Sequence, residues 1–170
     1  MGCRRSLLMV LWFAGLSFVL VWSVFRDPAI DYRLVMVGAV LPDVIDAPFG
    51  GPRVLHSVTA SAVLLGVVML ATRRRRAARR RLLAVPIGTF MHLVLDFMWT
   101  NSHVFWWPFL GWAFTGNRLP SLDRPVAVVV AQELIGAAAL VWCWRRFGLG
   151  EASTREAFVH TGRIPRDPAR

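Results

Sequence analysis

Asp43 and Asp46 stand three residues apart in the sequence, and His92 and Asp96 four apart. On a helix either spacing puts both members on one face, so each pair can present two ligand or proton-transfer groups to a common centre. With His56 and Glu133 they make six ionisable side chains inside otherwise apolar segments. Each costs about 2.5–3.5 kcal/mol to place in a membrane helix even on the lenient insertion scale, so each needs a partner or a purpose. Two imidazoles with three or four carboxylates are the donor set of a divalent ion of the zinc, manganese or iron kind. A cation would also hold the carboxylates ionised where an apolar medium would protonate them. The bland alternative is a hydrogen-bonded network that only ties helices together. For any one residue the two readings balance, and for the six as a set the metal site is favoured.

The elements that must position these groups read as membrane helices. Apolar residues make up 56% of the 170, and the mean hydropathy of +0.51 argues against a water-soluble globule. Residues 7–25 are apolar or small behind Arg4 and Arg5, close to the roughly 20 needed to cross a bilayer. This stretch is too long for a signal-peptide core and is expected to be an uncleaved anchor. Residues 54–71, 82–99 and 125–144 are further candidate spans. Residues 34–49 hold Pro42, Asp43, Asp46 and Pro48 and are expected to enter the membrane without crossing it. The fold expected is an all-α polytopic bundle of about four spanning helices plus one re-entrant or interfacial segment. It would form one membrane-embedded domain over residues 1–150, with a frayed cytoplasmic tail over 151–170.

All 20 basic residues are Arg, giving a net charge of +10, and seven of them lie between Arg73 and Arg81. A run of this kind between apolar segments is a cytoplasmic topology anchor rather than a nucleic-acid site. Keeping Arg4 and Arg5, the seven-Arg run and Arg145 with Arg146 all inside places both termini in the cytoplasm. The aromatic residues Trp99, Trp106, Trp107 and Trp112 then form an outer interfacial belt. On that topology His92 lies about 10 Å and Asp96 about 5 Å below the outer surface, and Glu133 about 12 Å below it, so the polar set shares one depth toward the extracytoplasmic side.

Other candidates are weaker. Ser57 follows His56 directly, and neighbours on a helix diverge, so a Ser-His nucleophile pair is disfavoured against a helix-start hydroxyl. Arg53 is equally suited to steadying an anionic substrate and to reaching headgroups. His103 is a further imidazole in the outer loop, and His160 has no chemistry-bearing neighbours. Cys3 and Cys143 are far apart and support neither a disulfide framework nor a CxxC metal site.

The string Leu41-Pro42-Asp43-Val44-Ile45-Asp46, then His56-Ser57, then His92 with Asp96, then Trp106-Trp107-Pro108-Phe109 before a glycine, resembles prokaryotic inner-membrane proteins of the YdjM type, regarded as metal-dependent hydrolases. The resemblance covers residues 34–115 and is specific as a set of motifs. Some members carry Asp-x-Asp after Leu-Pro where this chain has Asp43-Val44-Ile45-Asp46, which leaves Asp46 with a less defined role than Asp43. Members are distantly similar to zinc-dependent phospholipase C and related single-strand nucleases, and that likeness implies phosphoester chemistry.

The function expected is therefore a membrane-bound hydrolase in which Asp43, His56, His92 and Asp96 hold the ion, zinc foremost with manganese or iron as alternatives. Asp46 or Glu133 would take a proton from water, and Arg53 would steady the anion. The expected partners are the bilayer and a lipid or lipid-linked substrate in the inner membrane, with no nucleic acid. The alternative is a non-enzymatic protein that binds or transports a divalent ion. The inner halves of the last two expected spans carry no ionisable residue, which favours a one-sided site over a conduit.

Overall fold

A computed structural model describes residues 9–46, 53–112 and 125–165. The described chain is helical, without strands: α1 (Val10–Phe25), α2 (Tyr32–Asp46), α3 (Val58–Ala71), α4 (Arg76–Leu82), α5 (Ala84–Leu95), α6 (Ser102–Phe105), α7 (Val126–Arg146) and α8 (Ala152–Thr161). Tight 3-10 turns occupy Val54–His56 and Met98–Thr100. Arg4, Arg5, Pro48 and the end of the outer connection (113–124) lie outside the described residues.

Among the described residues one helix, the 21-residue α7, is long and apolar enough to cross a bilayer, while α1 and α3 are apolar but shorter. The four expected spans are thus not all reproduced as long helices. The 82–99 stretch divides into the end of α4, α5 and a 3-10 turn, because Asp96 caps α5 and Phe97 turns left-handed at φ 57°. Residues 54–71 likewise divide at Ser57, whose hydroxyl accepts from the Ala60 amide at 3.1 Å and caps α3.

The bundle has two distinct ends. At one, Asp31 accepts from Arg33 and from Arg81, each at 3.0 Å, tying the α1–α2 turn to the Arg-rich segment. At the other, Phe13 of α1 stacks on His92 of α5 with ring centroids 4.1 Å apart. Of the 34–49 stretch, the residues up to Asp46 belong to α2. This helix runs from the Arg end to the histidine end and packs between α1 and α5. Its carboxylates face inward, with Asp43 4% and Asp46 3% exposed against 54% for Val44, so a helix carrying two acids need not present them to lipid. Both termini, expected on the cytoplasmic side, lie outside the described residues. α1 begins at the histidine end, whereas α8 docks at the Arg end.

Glycines set how closely the helices approach. A Cβ at Gly38 of α2 would lie 2.3 Å from the Val85 carbonyl oxygen, and one at Gly88 of α5 2.2 Å from that of Val35. α1 and α7 meet in the same way: a Cβ at Gly15 would lie 2.3 Å from the Gly136 carbonyl oxygen, and one at Gly136 2.3 Å from that of Leu11. Such reciprocal small-residue contacts replace the hydrophobic drive that lipid does not supply. Two apolar clusters follow the two ends. Met9, Phe13, Ala39, Leu95 and Val129 surround the histidine end. Phe18, Val21, Tyr32, Val35, Ala84, Cys143 and Phe147 fill the half toward the Arg end. Residues 152–161, expected within a frayed tail, form α8, because Ile164 is buried in this second cluster, Tyr32 donates its amide to the Gly162 carbonyl at 2.9 Å, and Arg33 holds the Val159 and His160 carbonyls.

Candidate metal centre

α2 supplies Asp43 and Asp46, the turn before α3 supplies His56, and the last turn of α5 supplies His92. Both histidines are fully buried, at 0% exposure. Each ring is fixed through Nδ1. His56 Nδ1 donates to Asp46 Oδ2 at 2.7 Å, and His92 Nδ1 donates to the Ala39 carbonyl at 2.7 Å. A carbonyl only accepts, so in the neutral His92 ring the lone pair resides on Nε2, and the Asp46 carboxylate sets the same tautomer for His56. Asp46 is itself steadied by the Arg53 backbone amide at 2.9 Å.

The two Nε2 atoms face one another at 3.3 Å, and Asp43 Oδ1 lies 3.4 Å from that of His56 and 3.7 Å from that of His92. Asp43 Oδ1 is buried and makes no hydrogen bond. Three acceptors thus converge with no donor among them, an arrangement that repels itself unless a cation or proton enters. Ligand bonds of about 2.0–2.2 Å in a tetrahedral set separate neighbouring donor atoms by about 3.3–3.6 Å, close to the spacing found. The His56–Asp46 and His92–Ala39 bonds match the outer partners that orient metal-binding imidazoles. The donor set therefore fits a divalent ion, and among the described residues Asp43, His56 and His92 are a group that could hold one.

A model of the YdjM inner membrane protein family matches residues 7–155. The chain belongs to this family. No curated protein and no solved structure matches it. Membership in the YdjM family associates the chain with the inner membrane.

The remaining sequence candidates of this YdjM protein fall in different places. Asp96 is 1% exposed and one turn beyond His92, but its carboxylate is not among the three converging groups. Glu133 is engaged elsewhere. Its carboxylate accepts from the amides of Leu11 and Trp12 at 3.3 and 3.2 Å, capping the first turn of α1, where Met9 offers no side-chain cap. Ser57 is occupied as the α3 cap and donates to the Val54 carbonyl at 2.7 Å, which matches its reading as a helix-start hydroxyl. Arg53 lies exposed at the margin of the site, while His103 and His160 are exposed on α6 and α8. Three contributors were missed in the sequence: Phe13 stacking on His92, the Ala39 carbonyl, and Asp31 at the Arg end. The first two carry no compositional signal. Asp31 did, since it lies between Arg26 and Arg33, and its carboxylate bonds Arg33 and Arg81.

Proposed function

We propose that this chain is a polytopic, membrane-embedded, metal-dependent hydrolase acting on a phosphoester or other lipid-type ester. The observation that carries the reading is the convergence of Asp43 Oδ1 with two Nδ1-anchored imidazoles, buried and without a donor between them. Asp43, His56 and His92 hold the ion, and Asp96 is the candidate fourth ligand. A mixed imidazole and carboxylate set of this size suits zinc, with manganese or iron as alternatives. A bound divalent ion supplies Lewis acidity and lowers the pKa of water to about 7.

The chain's own groups do the rest. Asp46 keeps His56 in its ligating tautomer and, of the two carboxylates considered as proton acceptors, is the one at the cluster; Glu133 is committed to α1. Arg53, whose amide is bonded to Asp46, stands at the margin where an anionic group would arrive. The Arg-rich end faces the cytoplasm and the metal centre lies toward the extracytoplasmic side, where the exposed Trp99, Trp106 and Trp112 form the interfacial belt. The rival reading, a carrier of the ion, needs polar groups continuing to the Arg end. The half-bundle in between is instead filled by Phe18, Val21, Val35 and Phe147.

Turnover of a water-soluble phosphodiester by detergent-purified protein tests the proposal. Hydrolysis that is lost with chelator, restored by zinc or manganese, and absent in His92→Ala is the expected result. Equal activity of His92→Ala and wild type would overturn it.

A further inference from the structure

The Arg end holds a recess of about 600 Å³ where the α1–α2 turn, α4 and the chain leaving α8 meet. That size falls within the roughly 300–1,000 Å³ of ligand sites. Leu34, Ala78 and Leu82 give it an aliphatic wall, α4 brings Arg81, and the segment after α8 brings Arg163. Among the described residues lining the recess, Asp31 is the acid, and it already accepts from Arg33 and Arg81 at 3.0 Å each. Three guanidinium groups therefore stand against one carboxylate. Two other acids come near without lining the recess: Asp27 accepts from the Ala29 amide at 2.8 Å, and Glu156 lies 4.0 Å from His160. Among the described residues no acid pairs with Arg163. Its backbone is nonetheless fixed on both sides. The Gly162 carbonyl accepts from the Tyr32 amide at 2.9 Å, and the amide of buried Ile164 donates to the Pro28 carbonyl at 3.4 Å. An arginine at a membrane boundary ordinarily reaches outward to solvent or headgroups. Here two, from separate elements, line one walled recess.

We infer that this recess binds a phosphate group between Arg81 and Arg163, carried by an anionic phospholipid headgroup or free in solution. Guanidinium groups match phosphate oxygens with paired N–H donors, and the surplus of positive charge supplies the attraction. Basic pockets between membrane helices on the cytoplasmic side hold phosphate headgroups in this way. The aliphatic wall favours the lipid source, because it covers the glycerol and first methylenes of a phospholipid but has nothing to offer inorganic phosphate. A bound anion would join α4 to the segment that follows α8. α8 has no fully buried residue of its own, so a ligand that bridges its end to α4 adds to the stability of the docked helix. The recess and the candidate metal centre lie at opposite ends of the bundle, so the inference stands apart from the hydrolase reading.

The test is hydrogen exchange of residues 152–161 in the full chain, purified in a non-ionic detergent and titrated with phosphatidylglycerol, phosphatidylcholine or inorganic phosphate. Phosphatidylglycerol is expected to slow exchange saturably, and phosphatidylcholine, whose phosphate is neutralised by its own choline, is not. Protection by inorganic phosphate at equal concentration assigns the anion to solution, and protection by phosphatidylglycerol alone assigns it to the membrane. Arg163→Gln removes no ion pair, so its exchange without ligand should match wild type while its titration midpoint rises about tenfold. Arg81→Gln should show the same rise. Arg80→Gln, exposed on α4 beside Arg81 but outside the recess, should stay within about twofold of wild type and so separates a site from overall charge. Protection by neither phosphatidylglycerol nor phosphate would overturn the inference. So would equal protection by phosphatidylcholine, an unshifted midpoint in Arg163→Gln, or an equal loss in Arg80→Gln.

Discussion

Asp46 acts on the candidate metal site through His56. Its bond to His56 Nδ1 fixes which nitrogen of that ring faces Asp43 and His92, and loss of such an outer partner generally costs 10–100-fold in metal affinity. Asp46→Asn is therefore expected to retain the ion with an affinity weakened by about that range, measured by competition with a chelator, whereas His92→Ala loses it outright. Equal affinities of Asp46→Asn and wild type would show that His56 is held by other means. The three converging residues were legible in the sequence because buried ionisable groups are costly wherever they occur, and residue type and spacing register that cost. Glu133 looked the same by type. Only the position of α1, whose first-turn amides it caps, tells a cap from a ligand. Glu133→Ala should destabilise the fold by about 1–3 kcal/mol without lowering metal content.

At the scale of elements, the metal centre depends on how α2 and α5 cross. Asp43 comes from one and His92 from the other, and the crossing is held close by Gly38 against Val85 and Gly88 against Val35. A side chain at either glycine meets backbone, which cannot turn aside as a rotamer can. Gly88→Val is expected to cost at least the upper part of the roughly 1–3 kcal/mol range for overpacking and to reduce metal retention with it. Gly66→Ala on α3 meets nothing within 4 Å and should be neutral or stabilising by about 0.5–1 kcal/mol. Thermal unfolding of both variants in one detergent makes the comparison. These crossings were not legible in the sequence, because a glycine's purpose lies in the helix opposite it. The depth of α2 was hidden for a related reason. Its two acids and Pro42 argue against a lipid-facing helix, and composition alone does not reveal that the helix is enclosed on the acidic side.

At the scale of the molecule, the segment around Arg33 and Arg81 and the candidate metal centre occupy opposite ends of the bundle, and the proposed topology puts the first in the cytoplasm. Single cysteines introduced at Arg76 and at Phe109, both exposed, should differ in reactivity toward an impermeant maleimide applied to intact spheroplasts. Position 109 is expected to label and position 76 to label only after lysis. The reverse pattern would invert the proposed topology. The all-helical class was readable from hydropathy. The docking of α8 through Arg33 and Ile164 was not, since a short charged helix followed by prolines carries no apolar stripe to announce its contact. The proposed hydrolysis requires that Asp43, His56 and His92 hold a divalent ion. Its most direct test is elemental analysis of the detergent-purified protein beside an Asp43→Asn, His92→Ala double variant. About one or two zinc, manganese or iron ions per wild-type chain and none in the variant is the result the account requires. Wild type that stays empty after metals are supplied would make the cluster a helix-packing network and contradict the hydrolase.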